Sequence, residues 1–142
     1  PTLAGFWSGE DLQVRSGLSA FSDDAACRQA WEERQRDKAG ILSALNREGL
    51  LPNGVTEDLA TAPAMTTELC RAIHLYLART SSCVMLANLE DGLGELSQTN
   101  LPGTVDSHPN WTRKYAVPVD EIVCDERLRQ LGAVLRSTRP PG

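Results

Sequence analysis

Long apolar runs are absent. No stretch of the 142 residues approaches the ~20 that a membrane-crossing helix needs, so no membrane partner is expected. No charged-then-apolar leader opens the chain, and no secretory signal is expected. The first residue is Pro1 and not Met, which reads as a processed, trimmed or fragmentary chain. Paired cysteines are absent too. Cys27, Cys70, Cys83 and Cys124 lie 43, 13 and 41 residues apart and form no C-x-x-C pair. The two histidines, His74 and His108, stand outside any ligand spacing. Neither a metal site nor a cofactor is therefore expected, and reduced thiols in a cytoplasmic protein are the simplest reading. Positive charge is scarce, with 14 Lys+Arg against 19 Asp+Glu. That balance argues against nucleic acid or an anionic membrane as the main partner, because both reward a basic face. Strand-forming side chains are scarce as well. Val, Ile, Phe, Tyr and Trp together number 18 against 34 for Leu and Ala, which favours helix.

What is present is an ordinary globular mixture, 41% apolar and 23% charged. The length suits one domain, and a compact chain of this size hides roughly 68–70% of its unfolded surface. The spacing predicts helices over about 23–48, 66–80 and 125–137, hence a mainly α chain. The first starts at a Ser22 cap followed by Asp23 and Asp24, and stops at Gly49 and Pro52. Its apolar stripe is Ala26, Ala30, Leu42 and Leu45, with Trp31 and Ile41 at the edges; Arg28, Glu32, Arg34, Arg36 and Lys38 form the wet side. In the second, Leu69, Ala72, Ile73, Tyr76 and Leu77 repeat at helical spacing, and His74 falls on an exposed flank. In the third, Leu128, Leu131, Val134 and Leu135 share a face, with a short helix at 119–123 before it. A short turn is expected at 57–60, and the tail 139–142 should fray.

The segment Cys83-Val84-Met85-Leu86-Ala87-Asn88-Leu89 is apolar on both parities, as in a strand buried on both faces. It is the one convincing strand. A lone strand leaves its backbone donors and acceptors unpaired, so either the segment is helical or its neighbours lie on other polypeptide. After it, 90–115 is rich in turn formers, a length of loop that is uncommon unless functional or disordered. Taken alone, Asn100 beside Pro102 and Gly103 is ordinary turn chemistry.

Helix, buried strand, long polar loop and helix form part of a β/α repeat, and in (β/α)8 barrels the loop after a strand builds the active site. The loop carries Asn100-Leu101-Pro102-Gly103-Thr104 and Asn110-Trp111-Thr112-Arg113. With Pro1-Thr2-Leu3-Ala4-Gly5-Phe6-Trp7, these resemble the 4-α-glucanotransferases, glycoside hydrolase family 77, from Pro1 to about Leu135. The resemblance implies a single C-terminal segment, 1–142, of a (β/α)8 barrel: the helices after strand seven, strand eight at 83–89, a substrate-side loop 90–115 and a last helix, 118–137. It implies a retaining transfer of α-1,4-glucan in which one carboxylate attacks the anomeric carbon and a second protonates the leaving sugar. A third carboxylate, the Asp of a His-Asp pair, steadies the transition state. All three would lie upstream of Pro1, so the chain alone is expected to be inactive.

On the same resemblance the substrate-binding candidates are Asn100, whose amide suits vicinal hydroxyls, Pro102 and Gly103, which would turn it inward, His108 and Trp111. Trp111 would stack on a sugar ring or, as the favoured reading, pack the loop against the barrel. Asn110 and Arg113 read as loop anchors, and Glu90-Asp91 as a cap or salt bridge. A rival reading is a free-standing helical interaction module that dimerises through the 83–89 segment; a bare helical domain without a site is the third. Without the rest of a barrel, the Trp31 and Ile73 helices should pack on each other or on a second copy, and 83–89 should pair across a two-fold axis or shorten.

Overall fold

The computed structural model describes residues 1–139. Among these residues seven α-helices follow one another: α1 (Leu3–Ser8), α2 (Glu10–Gly17), α3 (Asp24–Arg47), α4 (Thr67–Ala78), α5 (Leu89–Leu93), α6 (Val119–Ile122) and α7 (Glu126–Thr138), with a 3-10 turn at Leu59–Thr61. The three long helices thus stand where periodicity puts them. Asp23, not Ser22, caps α3, its carboxylate accepting from Ala26 N at 2.8 Å. Gly49 ends that helix with φ 64°, and Leu50 N closes the motif on Leu45 O. Thr66 caps α4 and Asp125 caps α7.

The core lies where α1, the C-terminal half of α3 and α4 meet. Leu42 and Leu45 of α3 pack with Leu69, Ala72 and Ile73 of α4 and with Trp7 of α1. The indole Nε1 of Trp7 donates to Ala62 O at 2.8 Å, so the one polar atom of this ring is satisfied inside the core. Trp31 stays half-buried, with its ring against Gly9 between α1 and α2. The Trp31 and Ile73 helices do pack on each other, but through Leu42 and Leu45, a few turns beyond Trp31.

Two cations assigned to the wet side of α3 are buried, Arg34 at 8% exposure and Lys38 at 9%. They continue the face of Leu42 and Leu45 at helical spacing and meet acceptors from α1 and α2. Arg34 grips Asp11 with both terminal nitrogens at 2.8 Å, donates to Phe6 O and lies over the Phe6 ring. Lys38 Nζ donates to Trp7 O at 3.1 Å. A charge on an apolar face is stable when it is paired and hydrogen-bonded, and residue type alone does not reveal that.

His74 is likewise buried, at 3%, and not exposed. Helix α4 is covered twice: α3 takes the Leu69–Ile73 stripe, while α5 and α7 cover the Cys70–His74 flank. Nδ1 of His74 lies 2.9 Å from Cys70 O and donates to it, since a carbonyl only accepts.

The expected strand is not formed. Among the described residues there is no strand; 84–88 has no regular structure and Leu89 already belongs to α5. Val84 is 74% exposed and Leu86 85%. An extended segment with no neighbouring strand gains no ladder bonds, so nothing among the described residues draws it inward. The fray expected at 139–142 fails at its first residue. Arg139 donates to Ala78 O and Thr80 O at 3.0 Å and also to Ser82 O, tying the end of α7 to the end of α4. The remaining three positions of that tail lie outside the described residues. No helix among the described residues is long and apolar enough to cross a membrane.

Candidate functional site

The loop between α5 and α6 is built around two bolts and one clasp. Glu90 accepts from Thr99 Oγ1 at 3.0 Å and from Tyr115 OH at 3.2 Å. Hydrogen bonding, first from its own backbone amide and then from Thr99 and Tyr115, holds the Glu90 carboxyl below its ordinary range against the opposing effect of burial. Glu95 accepts from Ala116 N at 2.9 Å and pairs with Arg113 at 3.5 Å. The clasp is Asn110: its oxygen accepts from Leu101 N at 2.8 Å, and its nitrogen donates to Thr104 O at 3.1 Å and Thr104 Oγ1 at 2.9 Å. Asn110 and Arg113 are therefore the anchors expected of them.

Inside the clasp, Leu101–Thr104 is a turn closed by Thr104 N to Leu101 O at 3.3 Å. Pro102 supplies the fixed φ of its second position, and Gly103 the left-handed third, φ 86°, which a side chain would strain. Pro102 and Gly103 line an open hollow of about 520 Å³ together with Pro1, Asp11, Arg15 and Gln98. His108 lines a smaller neighbouring cavity of about 100 Å³ that shares Pro1, Asp11 and Gln98. Its Nε2 is buried and has no hydrogen-bond partner among the described residues.

Three of the five candidates thus gather around the first residue of the chain. Asn100 and Trp111 line neither hollow. Asn100 is half-buried, and among the described residues no hydrogen bond holds its side-chain amide. Trp111 is 74% exposed at φ 61°, with its backbone held by Trp111 N donating to Thr99 O at 2.9 Å. Asp11 and Gln98 were not legible as site residues. Asp11 reads as a first-turn helix charge until Arg34 is seen to fix it, and Gln98 is one polar side chain in a run of them.

Glu90 and Asp91 each have a structural task. Asp91 Oδ1 accepts from Leu3 N at 2.6 Å, capping α1 from a distance. All four cysteines are free, and no group of three His, Cys, Asp or Glu among the described residues is arranged to hold a metal ion. Burial, helped by the Asp91 charge, pushes the Cys70 thiol up to about 11. The thiolate is the reactive form. At pH 8, iodoacetamide should therefore label the exposed Cys83 and Cys124 and spare Cys70 until urea is added. Peptide mass spectrometry reads this directly; equal labelling of Cys70 in the native chain would contradict its burial.

Residues 1–119 match a protein-family model described as 4-alpha-glucanotransferase. A 4-alpha-glucanotransferase of Haemophilus influenzae is 34% identical over 129 residues, covering 91% of this chain and 18% of that protein. The 4-alpha-glucanotransferases of Mycobacterium bovis and Mycobacterium tuberculosis are each 28% identical over 143 residues, covering 96% of this chain and 18% of theirs. The chain thus spans about a fifth of the length of these curated relatives.

Proposed function

The chain belongs to the 4-alpha-glucanotransferase family, and from that premise we propose that it is the C-terminal segment of a (β/α)8 enzyme that transfers α-1,4-glucan segments between glucans in the cytoplasm. The observation that carries the reading is the convergence of Pro102, Gly103 and His108 on Pro1. Pro1 is the end at which the resemblance puts the carboxylate that steadies the transition state. The loop would then supply one wall of the sugar site, with Asn100 free to bond vicinal hydroxyls.

The reaction is a double displacement. An aspartate attacks the anomeric carbon while a glutamic acid protonates the departing glycosidic oxygen. A hydroxyl of a second glucan then gives its proton to that glutamate and displaces the aspartate, closing a new glycosidic bond. Both carboxyl groups lie outside this chain on this reading, so the chain alone has no means of making or breaking the bond. In the full enzyme, the exposed Val84 and Leu86 would be covered by a neighbouring strand. The purified 142-residue chain should leave maltotriose unchanged, whereas the longer protein should convert it to glucose and longer maltooligosaccharides. Turnover by the short chain would overturn the assignment of the carboxylates. The same exposed pair supports a second reading, self-association of a helical interaction module, which a stable dimer in light scattering would favour.

A further inference from the structure

The entrance to α1 is tied down by residues about 90 positions further along the chain. Thr2 is buried and caps α1 locally, accepting from Gly5 N at 2.9 Å. The same hydroxyl donates to Leu96 O at 2.9 Å, and Leu3 N donates to Asp91 Oδ1 at 2.6 Å, 88 residues away in sequence. The contact has no slack, since a Cβ on Gly5 would stand 2.2 Å from Leu96 O. Asp91 is itself held. Its carbonyl accepts from the Cys70 thiol of α4 at 3.4 Å, and a Cβ on the adjoining Gly92 would meet Leu128 of α7 at 2.3 Å. An exposed helix start satisfies its first amides with water; here a fixed carboxylate replaces water at Leu3, although Thr2 already supplies the ordinary cap.

We infer that Asp91 is a positioning residue for the transfer reaction. By fixing Leu3 N, it sets where and in which direction the backbone enters α1, and so steers the backbone that leads into Pro1. The inference rests on the proposed function, in which the aspartate that steadies the transition state lies just upstream of Pro1. The lever is short and stiff: proline locks its own φ, and each residue spans at most ~3.6 Å. A displacement of about 1 Å at a reacting group can cost ~100-fold in rate.

The test uses the full-length enzyme, with maltotriose, well below the unfolding temperature of each variant. Asp91→Ala should lower kcat about 10- to 100-fold while KM stays within about twofold. Asp91→Asn keeps an oxygen acceptor at the same place and should retain most of the parent kcat. Asp91→Glu keeps the charge but displaces it by a methylene, and should lose activity. A folded Asp91→Ala enzyme with parental kcat, or equal losses in the Ala and Asn variants, would overturn the inference. If Asp91→Ala does not fold, the Asn and Glu variants decide: parental kcat in both, or equal loss in both, overturns it. Replacing the upstream aspartate of the His-Asp pair by asparagine separates the two levels. Undiminished kcat there refutes the proposed function; loss there with no effect at Asp91 refutes the positioning alone.

Discussion

Replacing Asp11 by alanine should destabilise the chain by about 3–5 kcal/mol, the usual cost of breaking a buried ion pair from one side. Both partners are shielded, the Arg34 side chain at 8% exposure and that of Asp11 at 10%. Without Asp11, the guanidinium keeps Phe6 O and the face of the Phe6 ring but loses its counter-ion. Lys38 lies one turn further along α3, on Trp7 O, and its ammonium pKa is already lowered by burial and then by the Arg34 charge. Two cations would share one interior with backbone oxygens as their partners. With m near ~2 kcal/mol/M, urea unfolding followed by circular dichroism should shift its midpoint down by about 1.5–2.5 M. The double variant Asp11→Leu/Arg34→Met should recover much of the loss, because it leaves no orphan charge. A shift below about 0.5 M in Asp11→Ala would show that water replaces the carboxylate, and that α2 is not pinned by this pair.

Trp7→Ala should cost a comparable ~3–5 kcal/mol. The indole is 2% exposed at the junction of α1, α3 and α4, and it carries three separate tasks. Its ring fills the space beside Leu42 and Leu45, its face receives the Lys38 ammonium at 5.0 Å, and its Nε1 satisfies Ala62 O. Trp7→Phe separates these. It restores most of the ring but leaves a buried carbonyl without its donor, for about 1–3 kcal/mol. Against a total stability of ~5–15 kcal/mol, the alanine variant should unfold at low urea, while the phenylalanine variant remains cooperative. Equal midpoints for the two would mean that the hydrogen bond, and not the packing, dominates this site.

Such effects bear on what can be read without coordinates. Helix α4 was legible because Leu69, Ala72, Ile73 and Tyr76 repeat on one stripe, and burial follows the stripe. The stop at Gly49 was legible because a left-handed residue after a helix favours glycine. The loop clasp was legible in outline: Asn110 was expected to anchor, and it does. Arg34 and Lys38 were misread because a cation on a helix reads as solvated unless its acceptors are known. Those acceptors, Asp11, Phe6 O and Trp7 O, come from other helices. His74 was misread because one helical face was assumed to be covered, whereas α5 and α7 cover a second. Trp111 is 74% exposed, and the surface expected to receive it, the rest of a barrel, belongs to polypeptide other than this chain.

The segment 83–88 sharpens the distinction. Its apolar character on both parities is a property of the residues, and so is its unsuitability for water. Whether it becomes a strand depends on partners whose backbone groups can pair with it, and among the described residues there are none. By itself the sequence determined the three long helices, the stop at Gly49, the turn at Pro102-Gly103 and the family, since each rests on spacing, motif or local backbone preference. Only the tertiary structure decided which charges are buried, which flank of α4 is dry, and that Asp91 reaches Leu3. Those outcomes depend on contacts between residues far apart in the chain, whose energies are set by distance and desolvation rather than by residue type.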